Sequence, residues 1–172
     1  AQALGVATDR NGDATFKRAI TIGREPAELY RFWRDFTNLP RFMQHLEEVR
    51  VIDERRSHWV AKAPLGAKAE WDAEITEDRP DELISWRSLP GAAVFNEGTV
   101  RFQPALGGRG TAILVEMRYD PPLGTAGRIA AKLAHEEPEQ QVTDDLRHLK
   151  MIFEAGEIAT NAMRPEDKKE RA

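Results

Sequence analysis

The residue types that could hold a metal ion are few in this sequence and widely spaced. It contains no cysteine and four histidines, at positions 45, 58, 135 and 148. No two of these histidines have the spacing of ligands on one helix, and a thiolate site is impossible without cysteine. We therefore expect no metal site, and no other motif predicts a cofactor.

General acid and base catalysis would require ionisable groups inside the protein. Asp72 and Glu74 are two carboxylates on one predicted strand. Strand alternation places both on its outer face, so we interpret them as solvated charges. His58 is also out of phase with its apolar neighbour and should point to solvent. His45 and His135 could border a cavity mouth, but a surface or capping role is commoner for such residues.

Two polar side chains fall on strand faces that are otherwise apolar. Asn96 is in phase with Val100 and Phe102. It could bind a ligand carbonyl, but we favour a structural role, in which it satisfies a backbone group near Gly98. Tyr119 could hold a ligand oxygen at one end of a cavity, although such a tyrosine is more often a core residue with a hydrogen-bonded hydroxyl.

Composition limits the classes of partner. The chain has 172 residues, a formal net charge of -4 and charges of both signs scattered along it. There is no basic block that would follow a phosphate backbone, so we expect no nucleic acid partner. No apolar run is long enough to span a bilayer, and we expect a cytoplasmic protein.

Period-two alternation dominates the middle of the sequence. Short Gly- and Pro-containing turns separate the alternating segments, which predicts antiparallel hairpins and seven strands in all. The predicted strands are Phe16–Ile22, Glu48–Glu54, His58–Ala63, Lys68–Glu77, Glu82–Ser88, Glu97–Gln103 and Thr111–Tyr119.

Two short helices are predicted between the first and second strands. Pro26 can begin the first helix, where its missing N–H does no harm. Asn38 can cap the second, with Pro40 in its first turn. The apolar residues of this pair of helices are Leu29, Phe32, Trp33, Phe36, Phe42, Met43 and Leu46.

After the strands, Pro138 begins the longest predicted helix, which ends at about Thr160. We expect Asp144, Asp145, Arg147 and Lys150 to face away from its apolar stripe. That stripe consists of Val142, Leu146, Leu149, Ile152 and Phe153. A small helix at about Thr125–Leu133 lies within Leu123–Glu137, a segment that we predict to act as a lid over the ligand.

The inner face of the predicted sheet mixes large aromatic residues with alanine and glycine. Such a face, covered by a helix, is compatible with a ligand cavity and equally with a fully packed core. If there is a cavity, we expect it to be lined by Met43, Trp59, Trp71, Trp86, Asn96, Phe102, Val115, Met117, Tyr119, Leu146, Leu149 and Phe153.

The ends of the chain differ from its middle. Residues 1–15 show no periodicity and are predicted to be a disordered arm, whereas residues 161–172 form a charged tail. We see no repeat and no long linker, so residues 16–160 are predicted to form one domain.

The sequence resembles the START-like, or helix-grip, superfamily (SRPBCC), and more narrowly the bacterial polyketide cyclase/dehydrase proteins. The resemblance covers about Phe16–Ala159. The motifs that carry it are Tyr30-Arg31-Phe32-Trp33-Arg34-Asp35-Phe36, Leu39-Pro40-Arg41-Phe42-Met43, Trp71-Asp72-Ala73-Glu74-Ile75, Ile84-Ser85-Trp86-Arg87-Ser88-Leu89, Gly98-Thr99-Val100-Arg101-Phe102, Arg109-Gly110-Thr111, Tyr119-Asp120-Pro121-Pro122 and Asp145-Leu146-Arg147.

That resemblance implies an α+β helix-grip fold, in which a seven-stranded curved antiparallel sheet wraps around the long C-terminal helix. It also implies a small hydrophobic partner, since members bind sterols, lipids, quinones or polyketides. Some relatives place the domain after an N-terminal membrane segment, so a membrane partner is expected only if a segment precedes Ala1. The sequence carries no signal for an oligomeric state.

Three functions are compatible with this fold. The first is binding or transport of a small hydrophobic ligand in an internal cavity. The second is polyketide cyclase or dehydratase chemistry in the same cavity, and the third is a vestigial cavity whose helices bind a protein partner. The scarcity of inward polar groups favours the first over the second, and leaves open whether the protein is an enzyme.

Overall fold

The fold is an antiparallel β-sheet packed against a long helix, as seen in a computed structural model that describes residues 7–8, 14–120 and 138–162. The sheet order is β1-β2-β8-β7-β6-β5-β4-β3, and each neighbouring pair is antiparallel. The strands are β1 Ala7–Thr8, β2 Ala14–Ile22, β3 Leu46–Val51, β4 Arg56–Lys62, β5 Lys68–Arg79, β6 Leu83–Ser88, β7 Phe95–Pro104 and β8 Thr111–Asp120. The helices are α1 Pro26–Arg34 and α2 Pro138–Ala162, with a 3-10 helix at Phe36–Arg41 and short 3-10 turns at Pro64–Gly66 and Leu106–Gly108.

The predicted α+β class and all seven predicted strands are confirmed. The sheet has one further strand, β1, which pairs with the start of β2 through Ala7↔Thr15 and Thr8↔Ala14. This strand lies within residues 1–15, where the sequence predicted no order. Two residues are too few to produce a periodic pattern, so alternation could not reveal it.

Helix α1 begins at Pro26, as predicted, and buries Leu29, Tyr30 and Trp33. Its polar side is tied to the sheet through Asp78 of β5. The Tyr30 hydroxyl donates to one carboxylate oxygen of Asp78, and Arg34 Nε donates to the other at 2.8 Å. These bonds fix the aromatic face of α1 against the inner face of the sheet.

The second short helix differs from the prediction. It is a 3-10 helix capped by Asp35, whose Oδ1 accepts a hydrogen bond from Thr37 N at 3.1 Å. Asn38, the predicted cap, lies within this helix, and its Nδ2 donates to Phe32 O at 3.0 Å. Asp35 also ends α1, so one residue closes the first helix and caps the next. Leu46, which was assigned to this helix, begins β3 instead.

Helix α2 lies against the sheet with its predicted apolar stripe inward. Leu146 and Leu149 are fully buried, while Val142, Ile152 and Phe153 are partly buried against the same core. At the helix edge, Arg18 Nε of β2 donates to Thr143 Oγ1 at 3.1 Å, and an Arg24 guanidinium nitrogen donates to the carbonyl of Phe153 at 3.1 Å.

The expectation that Asp145 faces away from the core is wrong, because only 5% of the residue is exposed. Asp145 stands three residues after Val142 and four before Leu149, so helix geometry places it on the buried stripe. The outward position was expected because Asp145 is ionisable, but the face of a helix on which a side chain lies is determined by its spacing along the sequence.

Several predictions concern residues outside the described part of the chain. They include the small helix at 125–133, the lid at 123–137 and His135. The side chain of Tyr119 is also outside it, although the backbone of that residue pairs with Asn96 in the sheet.

Candidate functional site

The predicted cavity residues meet in one contiguous core between the sheet and α2. Those that are buried are Met43, Trp59, Trp71, Trp86, Asn96, Phe102, Val115, Met117, Leu146 and Leu149. Phe153 packs at the edge of this core. The structure therefore brings together residues from α2, from five strands and from the loop before β3.

All four tryptophans join this core. Trp59 lies between Trp71 and Trp86, with ring centroids 5.7 Å and 6.4 Å away respectively. Trp33 approaches Trp86 from α1 at 6.2 Å. Trp33 is not among the cavity residues predicted from the sequence, although its position on the apolar face of α1 was the signal that could have included it.

The indole N–H groups divide into two pairs. Trp59 Nε1 donates to Ser57 Oγ at 2.8 Å, and Trp86 Nε1 donates to Asn96 Oδ1 at 3.1 Å. Trp33 Nε1 and Trp71 Nε1 are buried without a hydrogen-bond partner among the described residues. Because an unpaired buried donor costs about 1–3 kcal/mol, each of these two would gain from a ligand oxygen.

Asn96 makes a hydrogen bond within the core, and its contact with a ligand stays a prediction. Its partner is a side chain rather than the expected backbone group, since its Oδ1 accepts from Trp86. Its own backbone N donates to Ser88 Oγ at 3.1 Å. Asn96 thus fixes the Trp86 ring across β6 and β7.

His45 and Asp145 meet where the loop before β3 passes under α2. His45 O accepts from Lys62 N at 2.8 Å, which places this loop beside the end of β4. Gln44 N donates to Asp145 Oδ1 at 3.4 Å, and His45 Nδ1 lies 3.7 Å from Asp145 Oδ2. The separation is too long for a direct hydrogen bond. Among the described residues, His45 Nδ1 is buried and has no partner.

The environment favours the uncharged form of both groups. Burial raises the pKa of Asp145 to about 7, with a small further rise from Asp144, and the bond from Gln44 N only partly opposes it. Burial also lowers the pKa of His45. A carboxyl group that is about half protonated and a neutral imidazole therefore face each other at neutral pH, and in mildly acidic solution the carboxyl group is mostly protonated.

The outward interpretation of the other candidates is correct. His58 Nδ1 lies 2.7 Å from Asp72 Oδ1, and its Nε2 lies 3.3 Å from Glu70 Oε1, on the outer face of β4 and β5. The hydrogen bond to Asp72 is the main cause that raises the pKa of His58. Glu74 pairs with Arg87 at 3.0 Å on the same face. These groups form cross-strand surface pairs rather than a catalytic site.

Two of the clefts on the surface of the described residues lie away from His45. The larger, of about 570 Å³, lies at the start of α1 and includes only Phe102 of the predicted cavity residues; the smaller, of about 290 Å³, includes none. The other residues of the larger cleft are Glu25, Pro26, Ala27, Arg79, Asp81, Glu82, Leu83, Arg101, Gln103 and Pro104. Such mixed charges suit a hydrophobic ligand poorly.

Residues 7–8, 14–120 and 138–162 contain neither a candidate metal site nor a candidate membrane-spanning helix. No group of three or more His, Asp or Glu side chains there could hold a metal ion. No helix of that part is long and apolar enough to cross a membrane.

Known proteins share both the sequence and the fold of this chain. An uncharacterised 17.2 kDa protein of Streptomyces lincolnensis, encoded in the melC2-rnhH intergenic region, is 30% identical over 138 residues, which cover 80% of this chain and 88% of that protein. A crystal structure from Deinococcus radiodurans is 42% identical and superposes with a TM-score of 0.69 over 83% of this chain and 98% of that one.

A more distant likeness concerns the fold alone. A START superfamily protein from Mycobacterium smegmatis is 14% identical and superposes with a TM-score of 0.59, covering 79% of this chain and 94% of that one.

The sequence profile described as polyketide cyclase / dehydrase and lipid transport matches residues 22–147. The chain therefore belongs to the polyketide cyclase / dehydrase and lipid transport family and has the START-like helix-grip fold.

Proposed function

We propose that this protein binds or transports a small hydrophobic ligand between the inner face of its sheet and α2. The observation that carries the proposal is Trp71 Nε1, a buried donor in an apolar core with no partner among the described residues. A ligand with an apolar body and more than one oxygen would bury its body against the aromatic rings and satisfy this N–H with one of its oxygens.

The ligand class follows from the lining. Aromatic and aliphatic side chains dominate the core, and burial of apolar area contributes about 25 cal/mol per Å² before association costs. Few polar groups fix the orientation of a ligand, so selection is mainly by shape. A lipid, a quinone or a polyketide-like compound fits these requirements.

A cyclase or dehydratase acting in the same place is the second candidate, and the pair His45–Asp145 favours it. Loss of water from a β-hydroxy ketone needs a base to take a carbon-bound proton and an acid to protonate the departing hydroxyl group. Neutral His45 could accept the first proton, and protonated Asp145 could supply the second. We prefer binding because Asp145 is the only buried carboxyl group among the described residues, so an inward acid is scarce.

The proposal also covers the extent of the ligand-binding domain and the location of the protein in the cell. Residues 16–160 would form the ligand-binding domain, and the protein would act in the cytoplasm without nucleic acid. The absence of cysteine and the mixed distribution of charge at a net value of -4 are compatible with both.

A titration with N-phenylnaphthylamine, which fluoresces in apolar surroundings, tests the proposal. We expect saturable binding that is weakened several-fold in Trp71→Ala. The control is Leu106→Ala, because Leu106 is 93% exposed at a hairpin tip. Absence of saturable binding, or equal loss of affinity in both variants, would reject this site.

A further inference from the structure

We propose that Asp145, with His45 beside it, is the polar anchor of the site and holds the oxygen of a neutral carbonyl ligand through a carboxyl proton. This inference rests on the proposed function and specifies which residue recognises the polar end of the ligand. It also predicts which ligands the protein prefers: ketones over hydrocarbons of the same shape.

The position of Asp145 supports this role. Only 7% of its side chain is exposed, on a stretch of α2 that also presents Leu146 and Leu149 to the core. A buried carboxyl group is expensive and is normally paired with a cation. Among the described residues, its contacts are the backbone N of Gln44 and the neutral ring of His45, so no cation neutralises it.

The geometry around His45 leaves a hydrogen-bonding requirement unmet. Asp145 Oδ2 and His45 Nδ1 are 3.7 Å apart, and one oxygen atom can contact two such atoms when it lies about 2.8 Å from each. In the described part of the chain His45 Nδ1 makes no hydrogen bond, and 23% of that side chain reaches solvent. Rotation of the ring to admit an oxygen therefore breaks no bond that the structure describes.

Protonation decides what the carboxyl group can bind. With a pKa of about 7, Asp145 carries its proton in mildly acidic solution and can donate it to a carbonyl oxygen. Above that pH it becomes a carboxylate, which only accepts. The titratable neighbours of Asp145 in the described residues are His45 on the facing loop, and Asp144 and His148 on α2. Of these, Asp144 adds to the rise.

The experiment compares acetylnaphthalene with ethylnaphthalene as competitors of N-phenylnaphthylamine. The two compounds share the same ring system and differ in the carbonyl group. At about pH 6 we expect the ketone to bind on the order of tenfold more tightly. Its affinity should fall about tenfold, to that of the hydrocarbon, between about pH 6 and about pH 9 as the protonated fraction of Asp145 falls, while the hydrocarbon should bind equally at both pH values.

Three variants sharpen the test. Asp145→Asn keeps a donor at every pH, so it should retain the preference for the ketone and lose its pH dependence. Asp145→Leu has the same branching at Cγ and no donor, so it should bind both compounds alike. Asp144→Asn is the matched control on the next residue, whose side chain is 48% exposed. It should keep the wild-type profile with a small shift to lower pH.

The outcomes separate this inference from the proposed function. Equal affinity of the two compounds for the wild type at about pH 6, or a ketone preference that survives in Asp145→Leu, would overturn the anchor and leave hydrophobic binding intact. If neither compound displaces the probe, or if the probe does not bind, both the anchor and the proposed function are rejected. Melting curves of each variant, recorded by circular dichroism, identify any loss of affinity that comes from unfolding.

Discussion

The Trp86 ring occupies the space that a side chain at Gly98 would need. The two residues face each other across β6 and β7, and a Cβ atom on Gly98 would lie 2.3 Å from Trp86 Cζ2. Because Gly98 has no Cβ, the indole can bend over its cross-strand neighbour and reach Asn96 Oδ1. This arrangement holds the centre of the aromatic core in place.

Gly98→Ala should therefore destabilise the protein by about 1–3 kcal/mol, since overpacking forces the ring or the strand to move. Urea unfolding measures the change. Gly23→Ala is the control, because a Cβ at Gly23 would meet no atom within 4 Å, and its effect should stay within about 0.5 kcal/mol. Equal stability of both variants would show that the Trp86 indole can move aside to accommodate a Cβ atom at position 98 without a cost in stability.

Leu149→Ala tests how tightly α2 packs on the sheet. Leu149 is 1% exposed, and truncation of a packed leucine costs about 2–5 kcal/mol. Met151, on the same helix, is 60% exposed, so Met151→Ala should change the free energy of unfolding by less than about 0.5 kcal/mol. A cost near zero for Leu149→Ala would instead indicate that this side chain borders an open cavity.

Asn96→Ala should cost about 1–3 kcal/mol in stability, because it leaves the buried Trp86 N–H without its acceptor. It should change the affinity for an apolar probe much less than Trp71→Ala does. Thermal unfolding together with probe titration checks both expectations. A variant of normal stability that no longer binds the probe would show that Asn96 contacts the ligand directly.

His45 and Asp145 should give the stability of the protein two opposing dependences on pH. The folded state raises the pKa of Asp145 from 3.8 to about 7, so its contribution is present below about pH 3.8 and is lost as the pH rises towards 7. It lowers the pKa of His45 from 6.5 to about 4, so that contribution is present above about pH 6.5 and is lost as the pH falls. The two slopes should largely cancel in the wild type.

Variants of one residue at a time should reveal how the free energy of unfolding depends on pH through His45 and through Asp145 separately. Stability should rise from about pH 4 to about pH 6.5 in Asp145→Asn, where only His45 titrates, and should fall over the same range in His45→Gln. Chemical unfolding at a series of pH values measures this. Asp144→Asn should resemble the wild type. If both variants followed the wild-type profile, the two groups would not be desolvated in the folded state.

The sequence predicted the strands well because alternation is a local signal. Trp71 and Trp86 were placed on the inner face by period-two spacing alone. The same kind of evidence was available for Asp145, whose helical spacing matches that of Leu149, but the expectation followed its charge. What local patterns could not supply is the contact between distant segments, such as the meeting of His45 with Asp145, which depends on how the loop before β3 docks under α2.

Native mass spectrometry tests the central claim most directly. The protein is measured as purified and after saturation with N-phenylnaphthylamine, in the wild type and in Trp71→Ala. We predict one noncovalently bound small molecule per chain in the protein as purified. After saturation, one probe molecule should take its place, and either molecule should be lost on denaturation. Trp71→Ala should retain less of either. Detection of only the bare chain mass in both wild-type samples, with the protein folded, would contradict the account.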